Sequence, residues 1–131
     1  MNATNATATY QIASLESEVA EASSNRLITM LLDGALVRIA QAKGHMERGN
    51  KQRQGEVIGK AIDIVASLDS YLDHEKGGEI SKNLESLYDY VVRRLFHANL
   101  KSDIGALEES EMLLGEIRTG WTEMTKLQKD A

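Results

Sequence analysis

The chain has 131 residues, net charge −5 and a pI near 5.2, with 42% apolar and 27% charged residues. That length suits one domain whose core buries roughly two-thirds of the unfolded surface. The acidic balance argues against a nucleic-acid binder, which needs a basic stripe to replace phosphate counterions. The absence of cysteine excludes disulfides, thiolate metal sites and a cysteine nucleophile, and the absence of proline favours long unbroken helices.

Residues 1–9, MNATNATAT, have no apolar period and read as disordered. They lack the basic start and apolar stretch of a signal peptide, so a cytosolic protein is expected. No run approaches the roughly 18 apolar residues of a membrane span, so no membrane insertion is expected. Tyr10, Ile12, Leu15 and Val19 form a weak pattern over residues 10–23, expected to be a short helix or an arm against the body.

The first strong helix is expected over about Ser24 to Arg48, where Ile28, Leu32, Ala35, Ile39, Ala42 and Met46 recur at helical spacing. Gly49-Asn50 supplies its stop. The second is expected over Lys51 to His74, with a core row of Val57, Ala61, Ile64, Val65, Leu68 and Leu72. Ile58 and Ile62 are placed beside that row as spare apolar surface. Gly55 and Gly59 each cost about 1 kcal/mol of helix propensity, so its first two turns are expected to fray.

Gly77-Gly78 reads as a connection, and the third helix is expected from an N-cap at Ser81, with a stripe of Leu84, Leu87, Tyr88, Val91, Leu95 and Ala98. The fourth follows Ser102-Asp103 and carries Ile104, Leu107, Leu114, Ile117, Trp121 and Met124. The acidic run Glu108-Glu109-Ser110-Glu111 is expected to be a solvated face. The fold expectation is therefore all-α, an antiparallel up-down four-helix bundle over residues 24–128 with a short N-terminal arm or helix.

Chemistry is scarce. Di-metal bundles need Glu-x-x-His pairs; His45, His74 and His97 follow Ala42, Tyr71 and Arg94 at that spacing, and each sits on a different helix. No phosphate loop follows Gly77-Gly78. A non-enzyme without metal or cofactor is expected. On the third helix Tyr90, Arg93, Arg94 and His97 lie off the core stripe, and arginine and tyrosine favour contact surfaces. A plain amphipathic exterior is the simpler account of these residues taken alone.

The segment LYDYVVRRLFHANLKSD at 87–103 resembles the flagellar secretion chaperone FliS family. Supporting matches are LLDGAL at 31–36, ERGN at 47–50, KAIDIV at 60–65 and LEESEMLLGEIRTGWTEM at 107–124, and the resemblance covers about residues 10–125. It departs at Ser23-Ser24-Asn25, where many relatives have Ser-Pro, and at Leu32, where many have an aromatic residue. The resemblance implies a cytosolic export chaperone that binds the disordered C-terminal region of flagellin, prevents premature polymerisation and delivers it to the cytoplasmic domain of the flagellar export gate. A general helical adaptor of export without flagellin preference is the alternative.

A client helix lying in a groove between bundle helices is the expected binding mode. The expected contacts are Ile58, Ile62, Tyr90 and His97, with Arg94 at the rim. Tyr10 and Ile12 of the arm are expected either to cover that groove or to complete the core. A monomer or weak homodimer is expected.

Overall fold

In the computed structural model the backbone is described for residues 3–130 and the side chains for residues 23–127. Four helices follow one another: α1 (Ala3–Glu47), α2 (Lys51–Asp69), α3 (His74–Lys101) and α4 (Ile104–Asp130). No strand occurs among the described residues. Each helix packs on two neighbours, α1 and α3 each touching both α2 and α4, which is the square arrangement of an antiparallel bundle. The division into 1–9, 10–23 and 24–128 turns on the first 22 residues; the backbone of residues 3–22 is part of α1, and the side chains there lie outside the described residues.

The junctions follow from local chemistry. Gly49 takes the left-handed conformation at φ 72°, the Asn50 N–H donates to the His45 carbonyl at 2.9 Å, and the Gly49 N–H donates to the Met46 carbonyl at 3.2 Å. This paired pattern closes the C-terminus of α1. Asn50 then turns its side-chain oxygen to the Arg53 N–H at 3.2 Å and caps α2.

The second and third helices meet differently from expectation. α2 stops at Asp69 and α3 begins at His74, capped by Asp73, whose carboxylate accepts from the Glu75 and Lys76 N–H groups at 3.1 Å. A kink at Gly78, with φ 48° and ψ −117°, separates this first turn from the rest of α3. Ser81 is not the cap. It is buried, and its hydroxyl donates to the Asp73 carbonyl at 2.9 Å, tying the helix back to the turn. A Cβ on Gly77 would lie 1.9 Å from the Ser81 oxygen, so a side chain there would force Ser81 aside. Between α3 and α4 the capping roles also change. Ser102 is the left-handed residue ending α3 at φ 49°, and Asp103 caps α4 through the Ala106 N–H at 3.3 Å.

The core is formed by Ile28, Leu32, Ala35, Ile39 and Ala42 of α1, Ile58, Ala61, Val65 and Leu68 of α2, Tyr88, Val91, Leu95 and Ala98 of α3, and Ala106, Leu107 and Leu114 of α4. Ile58, expected beside the core row, is 1% exposed and belongs to the core; Val57, Ile64 and Leu72 are only partly buried. Ala61, Val65 and Leu68 of the expected row are buried as expected, so the inward face of α2 is turned by only part of one residue's step, toward Ile58 and Gln54. Gln54 explains the register. It is 2% exposed, and its amide nitrogen donates to the Asn99 side-chain oxygen at 3.1 Å and lies 3.4 Å from both the Asn99 carbonyl and the Ser102 hydroxyl. That anchor holds the first turns of α2 against α3, where the two glycines alone suggested fraying. Ser110, expected in a solvated acidic face, is fully buried and donates to the Ala106 carbonyl at 2.9 Å.

Candidate functional site

Toward the C-terminus of α2 the bundle is incompletely filled. α2 ends at Asp69, while the apolar rows of α3 and α4 continue past it. The result is an apolar groove of about 610 Å³ lined by Ile28 and Leu32 of α1, Leu68 of α2, Tyr71 and Leu72 of the turn, Ile80, Leu84 and Tyr88 of α3, and Ile117, Trp121 and Met124 of α4. Ile80 is 70% exposed at its rim. Trp121 is held in place because its indole N–H donates to the Asn25 carbonyl at 3.3 Å, leaving the ring face to the groove. Burial, with a smaller contribution from Asp69, pushes the Tyr88 phenol up to about 12, so it stays a neutral part of the wall.

A second apolar area lies over the outer seam of α2 and α3. Val92, Phe96 and Leu100 repeat at four-residue spacing on α3, with Phe96 60% and Leu100 80% exposed. Single exposed apolar residues are ordinary, but a row of three beside a groove that mixes Val65, Ala66, Tyr88 and Val92 with Asp69, Glu85 and Asp89 is a candidate contact surface. On α2, Ile62 stands one turn from Ala66, which lines this seam together with Asp69, Glu85, Tyr88, Asp89 and Val92.

The expected site residues are not brought together. Ile58 is in the core and cannot contact a partner without unfolding α2. Ile62 is partly buried on the other flank of α3 from Tyr90, Arg94 and His97. Those three face α4. The Tyr90 hydroxyl donates to Glu109 at 2.8 Å, Arg94 Nε donates to the same carboxylate oxygen at 2.9 Å, and Arg93 lies 5.9 Å from the Tyr90 ring centre. His97 Nε2 lies 3.2 Å from an Asp103 oxygen. The Ala106 N–H, and secondly His97, hold the Asp103 carboxyl below its ordinary range. Tyr90, Arg94 and His97 thus form a polar seam joining α3 to α4. Tyr10 and Ile12 fall where side chains lie outside the described residues.

Most groove residues, among them Leu72, Leu84, Tyr88, Ile117, Trp121 and Met124, were visible in the sequence only as core positions, and Tyr71 and Ile80 were not singled out. The available signal was length: Ile80 and Leu84 precede the buried apolar row of α3, Trp121 and Met124 follow that of α4, and between Leu72 and Ile80 the sequence has no apolar residue left to meet them. Among the described residues no group of three or more His, Asp or Glu side chains is arranged to hold a metal, and no helix is long and apolar enough to cross a membrane.

Comparison with known proteins agrees with this architecture. The family model described as flagellar protein FliS matches residues 5–128. The chain is 46% identical over 112 residues to the flagellar secretion chaperone FliSB of Pseudomonas aeruginosa, covering 86% of this chain and 89% of that protein. It is 45% identical over 117 residues to the flagellar secretion chaperone FliS of Salmonella typhimurium, covering 88% and 87%. The Bacillus subtilis flagellar secretion chaperone FliS is 31% identical over 114 residues, covering 87% and 84%. With the match spanning all four helices, this chain belongs to the FliS family.

Proposed function

We propose that this protein is a cytosolic export chaperone that holds the C-terminal segment of flagellin until it is exported. The observation carrying this reading is the apolar groove at the open end of the bundle, with Ile80 and Met124 exposed at its edge. The relatives' names as flagellar secretion chaperones support it.

A disordered flagellin tail carries amphipathic helices made for a filament interior. Their apolar faces pair with each other when free. One such helix seats its apolar residues between Trp121 and Ile80, and the chain continues along the Val92, Phe96 and Leu100 row. Ordering the tail costs several kcal/mol, so two separated apolar areas joined by one wrapped segment are needed for tight binding. The bundle is formed beforehand, so little ordering falls on the chaperone. Ile62 flanks the second area, one turn from Ala66. Tyr90, Arg94 and His97 act from the opposite flank of α3 by keeping it fixed on α4 and its corner.

Tyr10 and Ile12 are proposed to lie over the open groove when no client is present. Delivery to the cytoplasmic domain of the export gate by a monomer or weak dimer completes the reading. The test is co-purification with full-length flagellin and with flagellin lacking its C-terminal segment. Retention of the full-length protein and loss of the truncated one is expected; equal retention of both removes the C-terminal segment from the account. Replacing Tyr10 and Ile12 by alanine is expected to change client affinity, and unchanged affinity and stability remove the arm from it.

A further inference from the structure

The protein carries a net charge of −5, yet one groove is strongly cationic. Between the C-terminal half of α1 and the N-terminal half of α2 lies a cleft of about 630 Å³ lined by Arg38, His45, Arg48, Arg53 and Lys60, with Glu56 the one acidic residue in its wall among the described residues. Glu56 is taken by Arg53 at 3.2 Å. Arg38 donates to the Gln41 side chain at 3.2 Å, and Arg48 Nη2 lies 3.2 Å from His45 Nδ1. Among the described residues Arg38, Arg48 and Lys60 have no carboxylate partner, and the nearby Glu47 acts on Lys43.

Helix electrostatics account for only part of this. A cation at the C-terminus of α1 complements the negative end of its dipole, which explains Arg48. Arg38 stands well before that end. Arg53 sits in the first turn of α2, the positive end, where a cation is unfavourable; no acidic residue shares that turn, and its one partner is Glu56 a turn further on. Arg48 is also given a seat. A Cβ on Gly44 would lie 3.1 and 3.3 Å from its two terminal nitrogens, so the bare glycine lets the guanidinium lie against the helix.

We propose that this cleft is a docking site for a carboxylate-rich segment of a protein partner. Charge complementarity selects the occupant: guanidinium groups pair with carboxylates through two parallel hydrogen bonds. Arg38 and Arg48 are spaced about 15 Å along α1 by the helical rise, too far for one phosphate and suited to successive acidic side chains. Ala40, Gly44 and Val57 between the cations give apolar side chains of the same segment somewhere to sit, which a phosphodiester chain does not use. The cleft lies toward the opposite end of the bundle from the groove at Trp121, so both can be occupied together and neither reading depends on the other.

The test is fluorescence anisotropy with a labelled peptide of repeating Glu-Leu-Leu-Glu, run beside a labelled single-stranded oligothymidine and inorganic phosphate as competitor. The peptide is expected to bind the intact protein and to weaken with salt. Arg38→Glu with Lys60→Glu is expected to weaken it at least about tenfold, and Lys82→Glu on α3 to leave it unchanged. Should the charge-reversed protein misfold by circular dichroism, Arg38→Gln with Lys60→Gln serves instead, with about a threefold loss expected. Gly44→Ala is expected to weaken binding by displacing Arg48. Peptide affinity unchanged in the folded charge variants, displacement by phosphate at equal charge concentration, or oligothymidine binding as tightly as the peptide, each overturns the proposal.

Discussion

The two ends of the bundle are built from the same four helices and behave as opposites. At the end formed by the start of α2 and the end of α3, small residues close the interior: Ala42, Ala98 and Ala106 are fully buried, and Gln54 locks α2 to the Asn99 and Ser102 corner. At the other end large residues face one another across a gap, because α2 stops while α3 and α4 continue. Small side chains let backbones approach until packing is complete; large ones beside a missing neighbour leave concave apolar surface. Stability is therefore expected to reside at the closed end and client binding at the open end.

That division can be broken by mutation, and the largest expected effect is in the closed half. Leu107→Ala removes a fully buried side chain and is expected to lower unfolding free energy by about 3 kcal/mol in urea titration. A loss under ~1 kcal/mol would mean that this end is not tightly packed. Gln54→Ala comes next. It strips the Asn99 and Ser102 groups of their partner, for a cost of about 2 kcal/mol. Amide exchange in the first turns of α2 should rise in parallel, which reports the fraying that Gly55 and Gly59 would otherwise produce.

Gly78→Ala is a smaller perturbation. The left-handed backbone there penalises a Cβ by about 1–2 kcal/mol, while nothing crowds the added atom. The loss should be confined to the kink between the first turn of α3 and its body, and thus appear as faster exchange near Ser81.

Titration gives the finest distinction. Asp103 has its carboxyl lowered by the Ala106 N–H and by His97, so the folded state binds fewer protons there than the unfolded chain. Its contribution is present above the ordinary aspartate range and is lost as pH falls through its lowered value. Asp103→Asn should therefore flatten the acid limb of a stability–pH curve. Tyr88 works with the opposite sign: raised from 10.0 to about 12, it stabilises the fold below pH 10 and loses that contribution between those values. Tyr88→Phe should remove this alkaline loss.

Much of the bundle was legible because helical periodicity is dictated by burial. Most of the rows of α1 and α3 lie in the core as the spacing requires, with Leu32, Ile39, Val91 and Leu95 fully buried and Met46, Leu84 and Leu87 partly buried. Register on α2 was harder. Isoleucine and valine occupy 57, 58, 62, 64 and 65, so apolarity alone does not say which flank faces inward; Gln54, a polar residue with a tertiary partner, decides it. Caps were misread where one polar residue has two possible roles, as with Ser81 and Ser102, since only the tertiary partner tells a cap from a tether. The groove was hidden because Trp121, Leu84 and Tyr88 look like any core residue until the end of α2 is known. The polar seam of Tyr90, Arg94 and His97 resembled a contact surface because Glu109 and Asp103, which engage it, lie on the next helix or the corner before it.

Calorimetric titration of the flagellin C-terminal segment into the intact protein and into Ile80→Asp asks the central question directly. Ile80 is exposed, so the substitution should leave unfolding free energy within about 0.5 kcal/mol. A charge placed at the mouth of the apolar groove is expected to weaken client binding at least about tenfold, or about 1.4 kcal/mol. Undiminished affinity in a protein of undiminished stability would contradict the assignment of the open end to the client.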